Sequence, residues 1–384
     1  FGSWAITGGY ISVVMFEAVA VPKTALYLFP NLEFVKLWTI ADFDVYLTWA
    51  LVGTVTAIII SWINIRGVKV ASLVQTFVVS FLIIVALMLL AGGLVGGEAA
   101  NAEPLFTGGG SGFIAVVAVV PFLFVGFDVI PQSAEEINLP PKKIGKLVVA
   151  SVFMAIAFYV IIIWMTSLAM PASELAAHDL VTADALAAMF NSAFWGKLVI
   201  AGGLAGIITS WNAFLMGSSR LMWAMATAGM IPAWFGKLHP RYRTPVNSIL
   251  FIGALSALAP FLGSAALGWI VDAGSPAIVI AYFLVSVAFL VLRKREPAMD
   301  RPLRIGGQGN SGFTIGVISA VLTLILFVLY LPITPFSAQL AWQSWAMFGV
   351  WLIIGIVFMF RLPRGDKAGP NAEKELLAKG RALP

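Results

Sequence analysis

Apolar runs long enough to cross a bilayer recur along the whole chain. Each holds about 20 residues, which is the length a helix needs to span roughly 30 Å of hydrocarbon. With 60% hydrophobic and 11% charged residues among 384, the composition excludes an ordinary soluble domain. Because backbone polar groups find no water in lipid, runs of this length fold as helices. The sequence therefore predicts an all-α, polytopic membrane protein.

Ten spans are predicted, joined by short connections. They cover residues 3–21, 46–65, 70–94, 113–130, 147–170, 198–227, 247–262, 267–292, 313–331 and 341–360. Since no other stretch is long enough for a soluble domain, residues 1–361 are predicted to form a single transmembrane domain. The charged remainder, residues 362–384, is predicted to be a cytoplasmic tail.

Basic residues fall on alternate loops, which sets the predicted orientation. Of the 23 lysines and arginines, only Lys23, Lys36, Lys197 and Arg220 lie outside one set of sides. Loops rich in these residues stay in the cytoplasm. We therefore expect both termini to be cytoplasmic and the membrane to be a bacterial-type inner (plasma) membrane. The alternation also explains the net charge of +5, so we expect the lipid bilayer, and no nucleic acid, as a partner.

The fourth predicted span contains residues that interrupt helices, namely Pro121, Gly126 and Pro131. Pro removes a backbone donor and Gly weakens helix propagation, so backbone groups within residues 122–127 are predicted to lose their intrahelical partners. Inside hydrocarbon such a break survives only where it faces protein or a water-filled cavity. A ligand transported through that cavity is favoured over a simple kink packed against its neighbours.

Two acidic residues lie inside predicted spans. Asp128 follows the break, and Glu17 is embedded in the apolar first span. A carboxylate at such a position costs roughly 2.5–3.5 kcal/mol on insertion scales, so each should face water or a partner. Asp128 is interpreted as a proton-coupling or gating group, or as a cap of the cytoplasmic half of its span. Glu17 is interpreted as a titrating group near the cavity, or as a side chain that reaches the outer surface with Lys23.

Four motifs, in this order, resemble one family of transporters. They are NIRGVKVASLVQT, PFLFVGFDVIPQSAEEINLPPKKIGK, SSRLMWAMATAGMIPAWFGKLHPRYRTPVNS and LRKREPAMDRPLRI. Together they make nearly the whole chain similar to the amino acid–polyamine–organocation permeases. That family folds as a five-plus-five inverted repeat followed by two further spans. The resemblance implies that the ten predicted spans are the third to the twelfth of the family and that the first two are missing.

The resemblance also implies where substrate binds. Five consecutive residues of the break would line the site, with carbonyls receiving the substrate ammonium and an aromatic ring acting as a gate: Phe122, Leu123, Phe124, Val125 and Gly126. Glycine at this position permits close backbone approach. The alternative is that the two phenylalanine rings only pack within the bundle.

Polar residues in the sixth predicted span complete the implied site. Thr209 and Ser210 would help to form a sodium site, and Asn212 would reach the substrate, unless these side chains only join neighbouring helices. Some proton-coupled members of the family carry a lysine in the span that corresponds to residues 73–90, and this sequence has none there. Sodium, another proton carrier and exchange all stay open as coupling modes.

These features predict a secondary active permease for amino acids, mainly neutral ones, that works by alternating access coupled to a proton or sodium gradient. A permease or exchanger for polyamines or other organic amines, a channel and a membrane-embedded enzyme are the alternatives. No catalytic or metal-binding motif such as H-E-x-x-H or C-x-x-C occurs, so no cofactor is expected beyond a coupling ion. The chain begins at Phe1, and half of the implied site would precede that residue, so this chain alone is predicted to be an inactive fragment.

Overall fold

The computed structural model describes residues 1–67, 71–106, 108–132, 139–297, 299, 301, 303–307, 310–333, 338 and 340–361. Helices dominate this part of the chain, and a single two-stranded hairpin lies among them. The predicted tail at residues 362–384 lies outside the described residues.

Thirteen α-helices are described. They are α1 (Gly2–Ala25), α2 (Leu47–Arg66), α3 (Ala71–Gly96), α4 (Gly109–Phe124), α5 (Val129–Gln132), α6 (Pro141–Ser167), α7 (Ala172–Leu175), α8 (Val181–Met189), α9 (Ala193–Thr227), α10 (Val246–Leu258), α11 (Ala266–Arg295), α12 (Ser311–Tyr330) and α13 (Trp342–Arg361). Short 3-10 turns at Pro30–Leu32, Ala99–Ala102, Ala233–Gly236 and Ala259–Leu262 join or extend them.

Each of the ten predicted spans coincides with a helical segment. Nine segments in the described part of the chain are long and apolar enough to cross a membrane. The exception is the seventh predicted span, where α10 and the turn after it form the shorter apolar helix Val246–Leu262. The prediction of an all-α, polytopic membrane protein is therefore confirmed.

The first helix is the centre of the bundle. Within its apolar window 83% of the residues are buried, against 39% or less in every other candidate span. Helix α1 packs mainly against α9 and α11, with α2 and α10 beside them. Close approach depends on glycine, since a Cβ atom on Gly9 would lie 2.4 Å from Cγ1 of Ile278. A buried helix is apolar around its whole surface, which explains why α1 shows no polar face.

The fourth predicted span is broken in the structure, although the helix ends three residues after Pro121 and not at the proline itself. Helix α4 continues through Pro121 and ends at Phe124, and α5 starts at Val129. Gly126 has φ +126°, a conformation that L side chains rarely adopt. Pro121 is accommodated within the helix, so Gly126, and not the proline, marks the change of direction.

A β-hairpin between α1 and α2 departs from the sequence prediction, which contained no strands. Strand β1 (Lys36–Ile40) pairs antiparallel with β2 (Phe43–Tyr46). The turn residues Ala41 and Asp42 both have positive φ, as the tight turns that match strand twist require. Aromatic and β-branched residues in both strands favour this pairing. The strands are only five and four residues long, so they leave no apolar run of spanning length in the sequence.

Candidate functional site

The break in the fourth span is held by its own backbone and by one carboxylate. The Gly126 amide donates to Oδ1 of Asp128 at 2.9 Å, and the Val129 amide donates to the Gly126 carbonyl at 3.1 Å. The backbone between α4 and α5 therefore forms a compact turn inside the membrane. Asp128 therefore caps the turn at the break, and its role in proton coupling or gating stays a prediction.

Aromatic rings from three other helices surround this turn. Cζ of Phe214 in α9 would lie 3.1 Å from a Cβ atom on Gly126, and the Phe214 ring meets Tyr10 of α1 at a centroid distance of 5.4 Å. Phe127 meets Tyr282 of α11 at 5.5 Å. Tyr10 and Tyr282 both interact with the Asp128 carboxylate. The break thus lies against α1, α9 and α11 and is not exposed to lipid on all sides.

The five predicted lining residues have different surroundings. Phe122 is buried and packs edge-on against Phe16 of α1 at 5.4 Å. The Leu123 carbonyl accepts a hydrogen bond from the Tyr159 hydroxyl of α6 at 2.8 Å, and the Phe124 ring lies 5.4 Å from that of Tyr159. Val125 is half-buried and packs against the core. The Phe122 ring thus packs within the bundle, while the Leu123 carbonyl, in the last turn of α4, is bound by Tyr159.

Glu17 meets Ser210, and both were singled out from the sequence. Glu17 is 4% exposed, Oγ of Ser210 donates to its Oε1, and its Oε2 has no partner among the described residues. Lys23 forms an ion pair with Asp179 at 3.3 Å. The alternative in which Glu17 reaches the surface with Lys23 is therefore wrong. The Glu17 carboxyl group therefore lies inside the bundle with one oxygen that has no described hydrogen-bond partner. An uncompensated charge at such a position is costly.

Thr209 and Asn212 make different contacts from their neighbour Ser210. The Thr209 hydroxyl donates to the Gly206 carbonyl at 2.9 Å, within its own helix. Oδ1 of Asn212 accepts a hydrogen bond from Asn64 of α2 at 2.8 Å, and Asn64 also donates to the Ile60 carbonyl. Asn212 therefore joins α9 to α2 in this conformation.

Two helices connect the break with the buried carboxyl group. In α9, Ser210 and Phe214 are four residues apart, and in α1, Tyr10 and Glu17 are seven apart, so each pair shares a helix face. Tyr10 contacts Phe214 next to the break, and Glu17 contacts Ser210 farther along the same two helices. The candidate site therefore extends along the α1–α9 interface from the break to Glu17.

Sequence reasoning missed several residues of this region. Tyr10, Phe214 and Tyr282 were not among the predicted site residues, because an aromatic side chain in an apolar span carries no distinguishing signal. Asp272 of α11 could have been found, since it is an acidic residue inside an apolar run. It is half-buried and interacts with Tyr330 of α12.

A polar cluster lies at the opposite end of α1 from its first residue. The Tyr27 hydroxyl donates to Oδ1 of Asp184 at 2.8 Å, and His178 contacts Oδ2 of the same carboxylate at 2.9 Å. Burial, followed by the hydrogen bond to Asp184, raises the pKa of Tyr27 to about 12, so it stays a donor at physiological pH. Tyr27 and Asp184, with Lys23 and Asp179, border a cavity of about 410 Å³. The cluster ties α1 to the α7–α8 segment.

A membrane helix that is interrupted within a span and enclosed by other helices, with a buried carboxyl group along the same interface, is typical of polytopic membrane transport proteins. Within that class, the chain belongs to the amino acid permease family, whose family model, described as "Amino acid permease", matches residues 2–359. Members of this family are permeases and not enzymes.

Named relatives agree with the family. The chain is 30% identical over 309 residues to the Branched-chain amino acid permease BcaP of Bacillus subtilis, which covers 79% of this chain and 62% of the relative. It is 26% identical over 313 residues to the Methylthioribose transporter of Bacillus subtilis, covering 81% of this chain and 64% of the relative. It is 29% identical to the chloroplastic Cationic amino acid transporter 6 of Arabidopsis thaliana over 265 residues, 64% of this chain and 42% of the relative. The chain thus spans less than two thirds of the length of these relatives.

Proposed function

We propose that the full-length protein is a secondary active transporter that moves amino acids, chiefly neutral ones, by alternating access. The observation that carries the proposal is the break at residues 125–128, which is enclosed by α1, α9 and α11 and continues along their interface to Glu17. Freed backbone groups bind the ammonium and carboxylate of a zwitterion without charged side chains. The names of two relatives, a branched-chain amino acid permease and a cationic amino acid transporter, support amino acids as the substrate class.

The proposed substrate site is centred on Gly126. Backbone atoms of Leu123 to Gly126 receive the amino group of the substrate, and the rings of Phe124 and Phe214 bound the space for its side chain. Asn212 contacts the substrate once its hydrogen bond with Asn64 is broken. Asp128 holds the turn and so acts as a gating residue, because losing its contact with the Gly126 amide frees the backbone to move.

The proposed coupling group is Glu17. Its open oxygen is buried, so a proton or a cation bound there removes an uncompensated charge from the bundle. A proton needs no further ligands, whereas sodium needs several oxygens, and the Glu17 carboxyl has one described hydrogen-bond partner, Ser210. Proton symport is therefore our first choice and sodium symport the second.

The proposed setting is a bacterial-type inner membrane with both ends of this chain in the cytoplasm. Arg66, Lys142, Lys143 and Lys146 lie on one side of the bundle by the order of the helices, together with the basic end of α11. The carboxylates of Glu98, Asp179 and Asp184 lie on connections of the other side. The positive-inside rule favours the basic side as cytoplasmic.

Uptake by cells that express the full-length protein tests this function. We expect saturable uptake of radiolabelled leucine that unlabelled neutral amino acids inhibit, that a protonophore abolishes and that replacement of sodium leaves unchanged. Cells that carry the empty vector are the control. Saturable uptake of putrescine without inhibition by neutral amino acids would replace the proposal with a polyamine permease, and uptake that does not saturate would replace it with a channel.

A further inference from the structure

A second cavity, far from the break in sequence, lies between the end of α11 and the start of α12. Its volume is about 250 Å³. Of the described residues that line it, four are cations and none is acidic; the lining residues are Arg293, Lys294, Pro297, Arg301, Arg304, Asn310 and Phe313. Gathering four like charges around one small space is unfavourable unless something of opposite charge enters it.

Two of these arginines are held in place by hydrogen bonds to backbone carbonyls. Arg301 donates to the carbonyls of Leu292, Glu296 and Met299, at distances of 3.2, 2.9 and 3.0 Å, and so caps the end of α11. The Arg293 guanidinium lies 4.8 Å from the ring centroid of Phe289 and donates through Nη2 to the Ile305 carbonyl. Its Nε is buried without a partner among the described residues. Both positive charges are therefore fixed in place before any ligand binds.

The other two cations are accessible to a ligand. Lys294 and Arg304 are exposed, and neither makes a hydrogen bond or ion pair with the described residues on either side of the gaps at 298, 300, 302 and 308–309. Asn310, which precedes the first turn of α12, also lines the cavity, so the positive end of that helix dipole faces it. Guanidinium forks and a helix start together suit an oxyanion with several acceptor oxygens, such as a phosphate.

The surroundings of the cavity indicate where that phosphate comes from. Helices α11 and α12 are both long and apolar enough to span the membrane, so their shared end lies at a membrane face. Exposed apolar side chains border the cations, with Leu292 44%, Ile305 42% and Phe313 45% exposed. A soluble phosphate gains nothing from this apolar rim, whereas a phospholipid places its headgroup among the cations and its acyl chains along the rim. Basic pockets at the cytoplasmic ends of membrane helices bind anionic lipid headgroups in this way.

We propose that this basic cavity binds the phosphate of an anionic phospholipid, which then bridges α11 and α12. The site is separate from the transport pathway described above and does not depend on the substrate proposed there.

Native mass spectrometry of the purified protein tests the proposal by counting bound lipid as phosphatidylglycerol or phosphatidylcholine is titrated. We expect one tight phosphatidylglycerol site and no such site for phosphatidylcholine. Arg304→Gln and Lys294→Gln should each weaken that site about 5-fold, the change expected for roughly 1 kcal/mol per basic residue near a membrane surface. Arg295→Gln is the matched control, because it removes one charge from the same helix end at a residue that does not line the cavity. Because Arg295 is exposed and does not line the cavity, salt screens its charge, and the substitution should change affinity less than about 2-fold.

Two results would overturn the proposal. Equal weakening by Arg295→Gln and Arg304→Gln would show a general charge effect and no site. The second result is that phosphatidylglycerol and phosphatidylcholine bind equally well and that inorganic phosphate displaces phosphatidylglycerol. The ligand would then be a soluble phosphate, and the lipid assignment would fail.

Discussion

At the scale of single residues, Gly126 determines the geometry of the break. Its φ of +126° lies in a region that favours glycine, and Cζ of Phe214 lies only 3.1 Å from the position where a Cβ atom would be. Both constraints act at once, because relieving the contact with the ring leaves the backbone strain in place. The identity of this one residue therefore fixes where the fourth span turns.

Gly126→Ala is expected to destabilise the protein by about 1–3 kcal/mol and to abolish leucine uptake, because the new Cβ both strains the backbone and pushes against Phe214. Thermal denaturation in detergent and cell uptake are the measurements. Gly203→Ala is the control, since that glycine lies inside α9 with nothing within 4 Å of a new Cβ. It should be neutral or slightly stabilising. An unchanged melting temperature in Gly126→Ala would show that the break does not need glycine.

Residues of the site were predictable where they broke the apolar pattern. Glu17, Asp128 and Ser210 stand out in apolar runs, and the structure brings Glu17 and Ser210 together. Tyr10, Phe214 and Tyr282 were not predictable, because their positions beside the break follow from how three distant helices pack. The pairing of Asn212 with Asn64 was missed for the same reason, as their sequence separation gives no sign of contact.

At the scale of the elements, the helices that span the membrane follow from length and hydropathy alone. Their ends shift by a few residues, since helices continue into the interface; α9 has 35 residues where 198–227 was predicted. The β1–β2 hairpin was not predicted, because its apolar side chains contribute no run of spanning length. The five-plus-five inverted repeat that the family resemblance implies stays a prediction.

The hairpin is expected to lose order as the pH falls. Hydrogen bonds and ion pairing with Lys36, 2.6 Å away, together with a hydrogen bond from Thr39, lower the pKa of Asp44 below its ordinary value of 3.8. A lowered folded-state pKa means that the carboxylate stabilises the hairpin above pH 3.8 and that this contribution disappears as the pH falls through the lowered value.

Asp44→Asn should therefore increase hydrogen exchange of the β1–β2 amides at neutral pH and have no effect once the pH lies below the lowered pKa of Asp44. Hydrogen–deuterium exchange with mass spectrometry measures this difference. Asp42→Asn is the matched control, because asparagine also tolerates the positive φ of 62° at that turn position. Equal exchange in wild type and Asp44→Asn at neutral pH would contradict the prediction.

Helices α1 and α13 are joined by a reciprocal tryptophan pair. Trp4 and Trp351 stack with centroids 4.1 Å apart, and each indole N–H donates to the backbone carbonyl of the other residue, at 2.9 and 3.0 Å. Glycines leave room for the rings, since a Cβ on Gly8 or Gly355 would clash with one of them. The central helix is thereby fastened to the last described span.

Trp351→Ala is expected to destabilise the protein by about 3 kcal/mol, because it removes the stacked ring and leaves a cavity against α1. Trp342→Ala, in the same helix, is the control, since that side chain is 75% exposed. Melting temperatures in detergent compare the two variants. A similar shift for both would mean that the tryptophan pair adds nothing beyond general helix hydrophobicity.

At the scale of the whole molecule, the break and the buried carboxyl group lie on the surfaces of the same two helices. Movement of α1 against α9 would change the Glu17–Ser210 contact and the Tyr10–Phe214 contact together. A proton at Glu17 and a substrate at the break can therefore favour the same arrangement of the bundle, which is what coupling between two ligands requires. We therefore propose that Glu17 couples substrate movement to the proton gradient.

Accumulation of leucine in proteoliposomes that contain the full-length protein and its Glu17→Gln variant tests this claim most directly. With an imposed pH gradient, wild type should accumulate leucine above equilibrium, while Glu17→Gln should lose that accumulation and still exchange internal for external leucine. Glu98→Gln, an exposed carboxylate outside the spans, should behave as wild type. Gradient-driven accumulation by Glu17→Gln at the wild-type level would contradict the account, because the proton would then be carried elsewhere.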